Sequence, residues 1–260
     1  VLLRVLVPSE ELVTVVAGEG MNVAAYDERI HEAAYDYLSG KAERLARPDL
    51  LVTPMVEVGY TPDIINRVAK NEGVDLILMS THGRTGLKHL VYGSVTETVL
   101  KHAPCPVLAM RADRLIKNIL VPLDGSVLSE KALLPALDFA RKSEANVTLF
   151  SVEPLEIELF EETNGLYPQV EPQTEKALEV EDYLKMLCNK YNSDDVQVDW
   201  AVSVGSAAEE ILAYAHDEGF DMIAMSTHGR AGLSRLFYGS VAENVLRHAV
   251  EAVLVVRPDA

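Results

Sequence analysis

Apolar residues in the second half of the chain form short continuous runs, and the segments between them carry helical spacing. Continuous runs, as opposed to alternating ones, indicate strands buried on both faces, which the intervening helices cover. The pattern therefore predicts an α/β fold with a parallel sheet. The predicted strands are 117–122, 146–152, 196–203, 221–225 and 252–256. The predicted helices are 129–142, one that ends at Tyr191, and 207–216.

The helix predicted over 129–142 has the clearest pattern. Its apolar residues lie on one face, so they are expected to pack on the sheet. They are Ala132, Leu133, Ala136, Leu137 and Ala140. After the strand at 146–152 the sequence predicts a long loop that runs to about residue 173 and carries a solvated block of acids.

One segment of the sequence occurs twice. Met79-Ser-Thr-His-Gly-Arg-Thr-Gly-Leu returns as Met225-Ser-Thr-His-Gly-Arg-Ala-Gly-Leu. From residue 59 to residue 111 each position pairs with the one 146 further on, and 18 of the 25 positions in 79–103 are identical to their counterparts. The fixed offset predicts two tandem copies of one domain, 1–113 and 114–260.

The first copy is shorter at its front. Residues 1–7 align with 147–153 at the same offset, which makes them the second strand of the repeat and leaves its first strand and first helix without counterparts. That first strand is central in doubly wound folds. We therefore expect this copy to be incomplete, before Val1 or after Pro8, with a strand donated by another chain as the alternative. A rival alignment of 5–8 with 119–122 leaves too little room before the helix expected at Glu28.

Composition limits the classes of protein to which the chain can belong. Its 40 acidic and 23 basic side chains give a net charge of −17, which would repel a nucleic-acid backbone. No apolar run is long enough to span a bilayer. Cys105 and Cys188 occupy non-equivalent places in the two copies and form neither a disulfide framework nor a zinc site. We expect a cytoplasmic protein that binds neither nucleic acid nor membrane.

The duplicated segment combines three features of a phosphate site. A strand ends at Met79, a glycine-containing turn follows at 82–86, and Gly93-Ser94 opens a helix predicted over 95–102. Glycines let backbone amides approach a ligand, and the first helical turn has N–H groups without intrahelical acceptors. Local positive charge would come from Arg84, Lys88, Arg230 and Arg235.

The same residues also have a purely structural interpretation. Ser94 with Glu97, and Ser240 with Glu243, have the spacing of a capping box, in which the hydroxyl accepts from the third helical amide. The two roles are compatible, because the proton of the hydroxyl remains available for a phosphate oxygen. Spacing alone leaves both interpretations open.

No pattern of residues predicts a catalyst. His82 and His228 lack an acidic partner or a nucleophile at recognisable spacing, so packing of each histidine on its turn is the preferred interpretation. His102 and His248 are predicted near helix C-termini, where positive charge is favoured. We expect no catalytic residue and no metal site in the protein itself.

With these motifs in place, the chain resembles the universal stress protein family. Nucleotide-binding members carry Gly-x-x-Gly, nine residues, then Gly-Ser or Gly-Thr. The first copy reads Ser80-x-x-Gly83, nine residues, Gly93-Ser94, and the second copy repeats this 146 positions on. The run from Ile119 to Ser126 also looks like the family's first strand and adenine-side loop. In both copies serine replaces the first glycine of the motif, which adds a Cβ and a hydroxyl.

The resemblance implies the residues of an adenine-nucleotide site. In the second copy the adenosine side would be Pro122, Asp124, Val152, Met225 and Ser226. The phosphate side would be His228, Gly229, Arg230, Gly239, Ser240 and Val241. The matching positions in the first copy are Met79, Ser80, His82, Gly83, Arg84, Gly93, Ser94 and Val95, without counterparts of Pro122 and Asp124.

The implied fold is two tandem, doubly wound, five-stranded parallel sheets, Rossmann-like and similar to adenine nucleotide alpha hydrolases, the first lacking its first strand and helix. We expect the copies to pair as a pseudo-dimer along 106–110 and 252–256, whose apolar edges would otherwise be open, with a homodimer of tandem chains as an option. The implied function is a stress-response regulator that binds ATP or AMP, with or without Mg²⁺. At most, the protein would hydrolyse ATP slowly. The alternatives are a nucleotide-free scaffold with closed pockets and an enzyme that acts on adenylated substrates.

Overall fold

The structure is a computed structural model of the 260 residues. It describes residues 1–7, 23–80, 93–110, 115–155, 158–162, 165–169, 174–227 and 239–257, with side chains described outside 23–27 and 158–177. The chain divides into two compact units, Val1–Gly73 and Val74–Ala260. None of the helices in these ranges is both long and apolar enough to cross a membrane.

The first unit is built on two parallel strands. The strands β1 (Leu2–Leu6) and β2 (Pro54–Val58) pair along their full length, with α1 (Val23–Leu45) between them in sequence and α2 (Thr61–Asn71) after β2. Helix α1 begins five residues before Glu28, its predicted start. It buries one stripe of residues at intervals of four, Ala34, Leu38 and Ala42.

The identification of β1 as the second strand of the repeat is confirmed by its hydrogen bonds. Gly59 N donates to Leu6 O at 2.9 Å, and in the second copy Gly205 N donates to Glu153 O at 2.9 Å. Leu6 is therefore equivalent to Glu153, an offset of 147, and the predicted alignment of this strand is wrong by one residue. The sequence favours an offset of 146 because it aligns Pro8 with Pro154. The hydrogen-bonded pairing of the strands instead corresponds to an offset of 147.

The second unit contains a seven-stranded sheet. Its strands, in spatial order, are β3 (Ile77–Ser80), β4 (Val107–Met110), β11 (Ala252–Val256), β10 (Met222–Ser226), β5 (Asn118–Pro122), β6 (Asn146–Glu153) and β9 (Val198–Val204). The five strands β9-β6-β5-β10-β11 have the doubly wound order that the resemblance implied. The fold is α/β, and its sheets are mainly parallel.

The edge pairing predicted between the two copies is present in this sheet. β4 and β11 are antiparallel, with Leu108 opposite Leu254 and Ala109 opposite Val253, whereas every other neighbouring pair in the sheet is parallel. Leu108 and Leu254 are buried. Since β3 and β4 belong to the first sequence copy, the boundary between the two compact units, after Gly73, falls inside that copy.

The helices of the second unit cover the sheet. They are α3 (Ser94–His102), a 3₁₀ helix (Ser129–Ala132), α4 (Leu133–Ser143), α5 (Thr174–Tyr191), α6 (Ala207–Asp217) and α7 (Ser240–His248). The five apolar positions predicted to face the sheet from 129–142 are all buried, with exposures of 0–1%. The predicted single helix is a 3₁₀ turn followed by an α-helix.

The long loop predicted up to residue 173 contains a hairpin, so that prediction is wrong. Strands β7 (Glu158–Glu162) and β8 (Gly165–Gln169) pair in antiparallel fashion, with Glu162 opposite Gly165. Asn164 and Gly165 stand at the end of the two-residue connection, and both residue types are common in turns. The acidic composition of the segment obscured that signal.

Candidate functional site

The strands β5 and β10 are neighbours in the sheet, but they separate before they end. Met222 lies opposite Ile119 and Ile223 opposite Leu120, and the pairing of these two strands stops there. β10 stays paired with β11 along its whole length. β5 lies at the point where the strand order reverses, and in doubly wound sheets ligands bind in the crevice at the carboxyl ends of the strands beside that point.

A cavity of about 280 Å³ lies at this switch point. Its walls come from the carboxyl ends of β5, β6 and β10, from α6 and from the start of α7. The lining includes eight of the residues that the family motif assigned to the second copy. They are Pro122, Asp124, Val152, Met225, Ser226, Gly239, Ser240 and Val241. The other three, His228, Gly229 and Arg230, lie outside the described residues, as does Arg235.

The loop after β5 fixes Asp124 at the edge of the cavity. Leu123 N donates to Phe150 O at 2.7 Å, and Ser126 N donates to Asp124 Oδ1 at 3.0 Å. Ser129 N donates to Ser126 Oγ at 3.1 Å, while Ser129 Oγ donates to Ser126 O at 2.9 Å. The carboxylate of Asp124 therefore belongs to a hydrogen-bonded turn and has a defined orientation.

Several lining residues were missed at the sequence level, and most of them are apolar. They are Leu123, Ser129, Phe150, Ala207, Ile211, Thr227 and Ala242. Phe150 could have been found, because it precedes Val152 by two residues on one strand and so shares its face. Its ring stacks on Tyr214 with centroids 4.5 Å apart and an interplanar angle of 8°. This stack holds a flat, rigid apolar wall beside the crevice.

The start of α7 is not a capping box, so that interpretation of the sequence is wrong. The N-cap is Gly239, and Glu243 N donates to Gly239 O at 2.9 Å. The carboxylate of Glu243 pairs with Arg247 at 2.7 Å. Ser240 is therefore the first helical residue, and it lies on the cavity wall at the positive end of the helix dipole.

The first copy repeats this arrangement at α3. Glu97 N donates to Gly93 O at 3.0 Å, and the carboxylate of Glu97 pairs with Lys101 at 2.6 Å. The predicted capping box is wrong here for the same reason, because glycine, one residue before the serine, takes the N-cap position. The predicted positions of the histidines at the helix ends are confirmed, with Nδ1 of His102 3.0 Å from Thr98 O.

The backbone ties the strand end to the helix start. Thr227, buried directly after β10, donates its N–H to Val256 O at 3.0 Å and accepts from Gly239 N at 2.8 Å. Residues 227 and 239 are thus held together, although eleven residues separate them in sequence. The carboxyl end of β10 and the first turn of α7 consequently form one rigid side of the cavity.

The first copy places its matching residues differently. Met79 and Ser80 lie on β3, and Gly93, Ser94 and Val95 lie at the start of α3, while His82, Gly83, Arg84 and Lys88 fall outside the described residues. In the described part of the chain β3 pairs with β4 alone, whereas β10 has a strand on each side. Leu78 is 64% exposed, and its counterpart Ala224 is 0% exposed.

The described residues contain no group of three histidine, cysteine, aspartate or glutamate side chains that could hold a metal ion. Among the described residues, then, a cation at the cavity has no complete set of protein ligands and would share its coordination with a bound molecule. Such sharing of ligands is usual for Mg²⁺ in nucleotide sites, where phosphate oxygens complete the coordination.

Comparison with known proteins gives one consistent family. A model of the universal stress protein family matches the chain twice, over residues 1–111 and 115–257. Universal stress protein MJ0577 of Methanocaldococcus jannaschii is 34% identical over 100 residues, which cover 37% of this chain and 62% of that protein. The chain therefore spans less than two thirds of the length of this relative.

Solved structures show the same fold. The crystal structure of a putative universal stress protein from Pseudomonas aeruginosa UCBPP-PA14 has a TM-score of 0.67 at 22% identity, and the match covers 99% of this chain and 93% of that one. A universal stress protein in complex with cAMP has a TM-score of 0.41 at 18% identity over 56% of this chain and 99% of its own. The cAMP is a feature of that structure.

Proposed function

The chain belongs to the universal stress protein family, as two tandem copies of the family domain, and from that premise we propose that its second copy binds an adenine nucleotide, ATP or AMP. The strongest support is the convergence of the assigned residues. Eight positions spread from Pro122 to Val241 line one cavity at the carboxyl edge of the sheet. These eight positions come from the ends of three strands and the start of one helix, so a motif in one loop does not by itself bring them together.

The apolar part of the cavity wall suits a purine. The walls of the cavity include apolar residues on which the flat ring of a purine can pack. They are Pro122, Leu123, Phe150, Val152 and Ile211. Asp124 stands at the edge, fixed by the amide of Ser126 at 3.0 Å. A fixed carboxylate is the kind of acceptor that orients a ribose hydroxyl or an exocyclic amine.

The start of α7 suits the phosphates. Its first-turn amides have no intrahelical acceptors, its dipole favours an anion, and Ser240 adds a hydroxyl on the cavity wall. The net charge of −17 opposes an anionic ligand, so these local donors must carry the attraction. Mg²⁺ fits the proposal as a companion of the nucleotide that is held through its phosphates.

The serine that replaces the first glycine of the motif leaves the cavity open. Ser226 is 6% exposed and lies on the wall of a space that is still about 280 Å³ in volume. The alternative of a nucleotide-free scaffold requires this pocket to be closed, and the cavity argues against it for the second copy. The proposed role is a stress-response regulator that changes its partners when nucleotide binds.

A cytoplasmic location and a homodimer of tandem chains belong to the same proposal. Both cysteines of the chain are free thiols and buried, which suits a reducing compartment.

The test is calorimetric titration of ATP and AMP into nucleotide-stripped protein. The variant Gly239→Val with Ser240→Ala should lower the affinity at least tenfold, because it alters the start of α7. The backbone of Gly239, with φ −67° and ψ 153°, accepts a branched residue, and an added Cβ would lie 3.5 Å from Thr227 O, an ordinary contact. The fold should therefore persist in this variant.

The matched control is Gly93→Val with Ser94→Ala, which makes the same changes at α3. One site per chain, lost in the second-copy variant and kept in the control, is the expected result. No heat at millimolar nucleotide, weaker than about −4 kcal/mol, would refute nucleotide binding and leave the scaffold as the better hypothesis. Loss in the control alone would move the site to the first copy.

A further inference from the structure

Phe150, on the wall of the nucleotide cavity, is held by a residue that does not belong to the wall. Phe150 is 0% exposed, and its ring stacks on the ring of Tyr214 with centroids 4.5 Å apart. Tyr214 is not among the described residues that line the cavity. It stands behind the wall, so it can act on a bound ligand only through its neighbours.

Helix α6 aligns Tyr214 with the cavity. Ala207 and Ile211, one turn apart on this helix, both line the cavity, and Tyr214 follows Ile211 by three residues, on the same helix face. Tyr214 also contacts Phe220, with ring centroids 5.7 Å apart and an interplanar angle of 35°. The helix and the ring of Phe220 therefore fix Tyr214, and the nearly parallel stack leaves Phe150 little freedom to tilt.

The backbone of Phe150 also supports the loop that carries Asp124. Phe150 O accepts from Leu123 N at 2.7 Å, and Leu123 directly precedes Asp124. Phe150 thus joins the apolar wall of the cavity to its polar edge. A change at Tyr214 that lets the ring of Phe150 tilt would disturb both features that face the base in the proposed nucleotide site.

The first copy lacks this aromatic pair. Val68 corresponds to Tyr214 at the offset of 146, and Leu3 corresponds to Phe150 at the strand offset of 147. Val68 is 7% exposed, so an aliphatic side chain fills that place on the helix of the first copy. The packing of this domain therefore does not require two aromatic rings, which points to a further role for the stack in the second copy.

We propose that Tyr214 is a positioning residue that makes the second-copy site prefer a purine to a pyrimidine. This inference rests on the proposed binding of a nucleotide. A purine packs on a flat wall over a larger area than a pyrimidine, so it gains more from a wall that stays flat. A wall that tilts loses this advantage, because a gap of about 1 Å already removes much of the attraction between packed atoms.

The experiment measures the ratio of the dissociation constants of UTP and ATP for the nucleotide-stripped full chain, by calorimetric titration and by displacement of bound ATP. We expect ATP to bind at least tenfold more tightly than UTP. Tyr214→Leu should weaken ATP about tenfold and UTP less than twofold, so the ratio should fall at least fivefold. Tyr214→Phe keeps the ring and should therefore keep the ratio within twofold of that of the unaltered protein.

The matched control is Phe220→Leu, which removes one aromatic contact of Tyr214 and leaves its stack on Phe150. This variant should also keep the ratio within twofold. An equal fall in Phe220→Leu and Tyr214→Leu would overturn the proposal and assign the loss to a general loosening of α6. An unchanged ratio in Tyr214→Leu, or no preference for ATP in the unaltered protein, would overturn it while nucleotide binding stands. If the unaltered protein binds no ATP, the proposed function is refuted and this inference with it.

A second variant keeps the test valid if Tyr214→Leu fails to fold, which the fluorescence of Trp200 would report. Tyr214→Met supplies a long, flexible side chain that fills space without a flat face. It should lower the ratio at least fivefold as well. A ratio within twofold of that of the unaltered protein would overturn the proposal, since a flexible side chain would then position Phe150 as well as a ring does.

Discussion

Ser226 and Ser80 have identical neighbours in sequence, Met-Ser-Thr-His-Gly-Arg in both copies, and different surroundings in the fold. Ser226 is 6% exposed at the end of a strand that lies between two others. Ser80 is exposed, and in the described part of the chain its strand has one neighbour. The motif is therefore half of a site, and the other half is the strand beside it.

The contribution of the neighbouring strand in the second copy can be named. In the second copy β5 supplies Pro122, Leu123 and Asp124 to the cavity wall, and its separation from β10 opens the space. Among the described strands, β4 alone is hydrogen-bonded to β3. The motif is therefore described fully only together with the strand that lies beside it.

The largest expected difference between the copies is in folding. Ala224→Asp should destabilise the protein by about 4 kcal/mol or more, because Ala224 is 0% exposed and a carboxylate there would be unpaired. Leu78→Asp, at the equivalent and 64% exposed position, should cost less than about 1 kcal/mol. Urea unfolding followed by the fluorescence of the single tryptophan, Trp200, measures both. Equal losses would show that Leu78 is buried in solution.

The next difference concerns Cys188, a thiol of the second copy that has no cysteine counterpart in the first copy. Burial first, and then the charge of Asp199, raises the pKa of Cys188 from 9.0 to about 11. In the variant Cys105→Ser, labelling of Cys188 at pH 8 should be about 100-fold slower in folded than in unfolded protein. Because the pKa is raised in the folded state, the stability tied to this thiol is present below pH 9 and is lost as the pH rises toward 11. Fast labelling in the native protein would contradict the buried position.

A smaller difference between the copies is expected in ATP affinity when a wall residue of the cavity is enlarged. Val152→Phe adds volume to the wall of the cavity and should weaken ATP about tenfold, which corresponds to about 1.4 kcal/mol. The matched change is Val5→Phe, since the ladder makes Val5 equivalent to Val152 at the offset of 147. That control should leave ATP affinity within twofold. A similar loss from Val5→Phe would mean that the first copy shares in binding.

The smallest difference is expected where the copies are alike. Arg247 pairs with Glu243 at 2.7 Å on α7, and Lys101 pairs with Glu97 at 2.6 Å on α3. Both are i, i+4 pairs near the surface, so Arg247→Ala and Lys101→Ala should each cost less than about 0.5 kcal/mol. Thermal unfolding of both variants checks this. A cost above about 1 kcal/mol in one variant alone would reveal a second role for that residue.

Much of the fold could be predicted because it rests on local pattern. The apolar spacing of Ala132, Leu133 and Ala136 identified a buried helix face, and continuous apolar runs identified the strands of a parallel sheet. The edge pairing of β4 with β11 was also predictable, since two apolar edge strands in a duplicated chain have few other partners. The hairpin at Glu158–Glu162 was missed because its acidic composition outweighed the Asn-Gly signal.

Fewer residues of the cavity than of the fold could be predicted from the sequence. Motif residues such as Asp124 and Ser240 could be placed from their spacing, whereas Ile211 and Ala207 line the cavity only because α6 crosses it, a matter of tertiary packing. The capping boxes failed for a finer reason, since the spacing of serine and glutamate does not reveal which residue begins the helix. Gly239, one residue earlier, takes that position.

The antiparallel junction between β4 and β11 reverses the direction of the strands part-way across the sheet. The motif strand of the first copy therefore ends on the edge of the sheet where the motif strand of the second copy begins. Five residues of strand span about 17 Å, so the carboxyl ends of β3 and β10 lie about one strand length apart along the strand direction. A substitution at the carboxyl end of β3 and one at the carboxyl end of β10 therefore act on opposite edges of the same sheet.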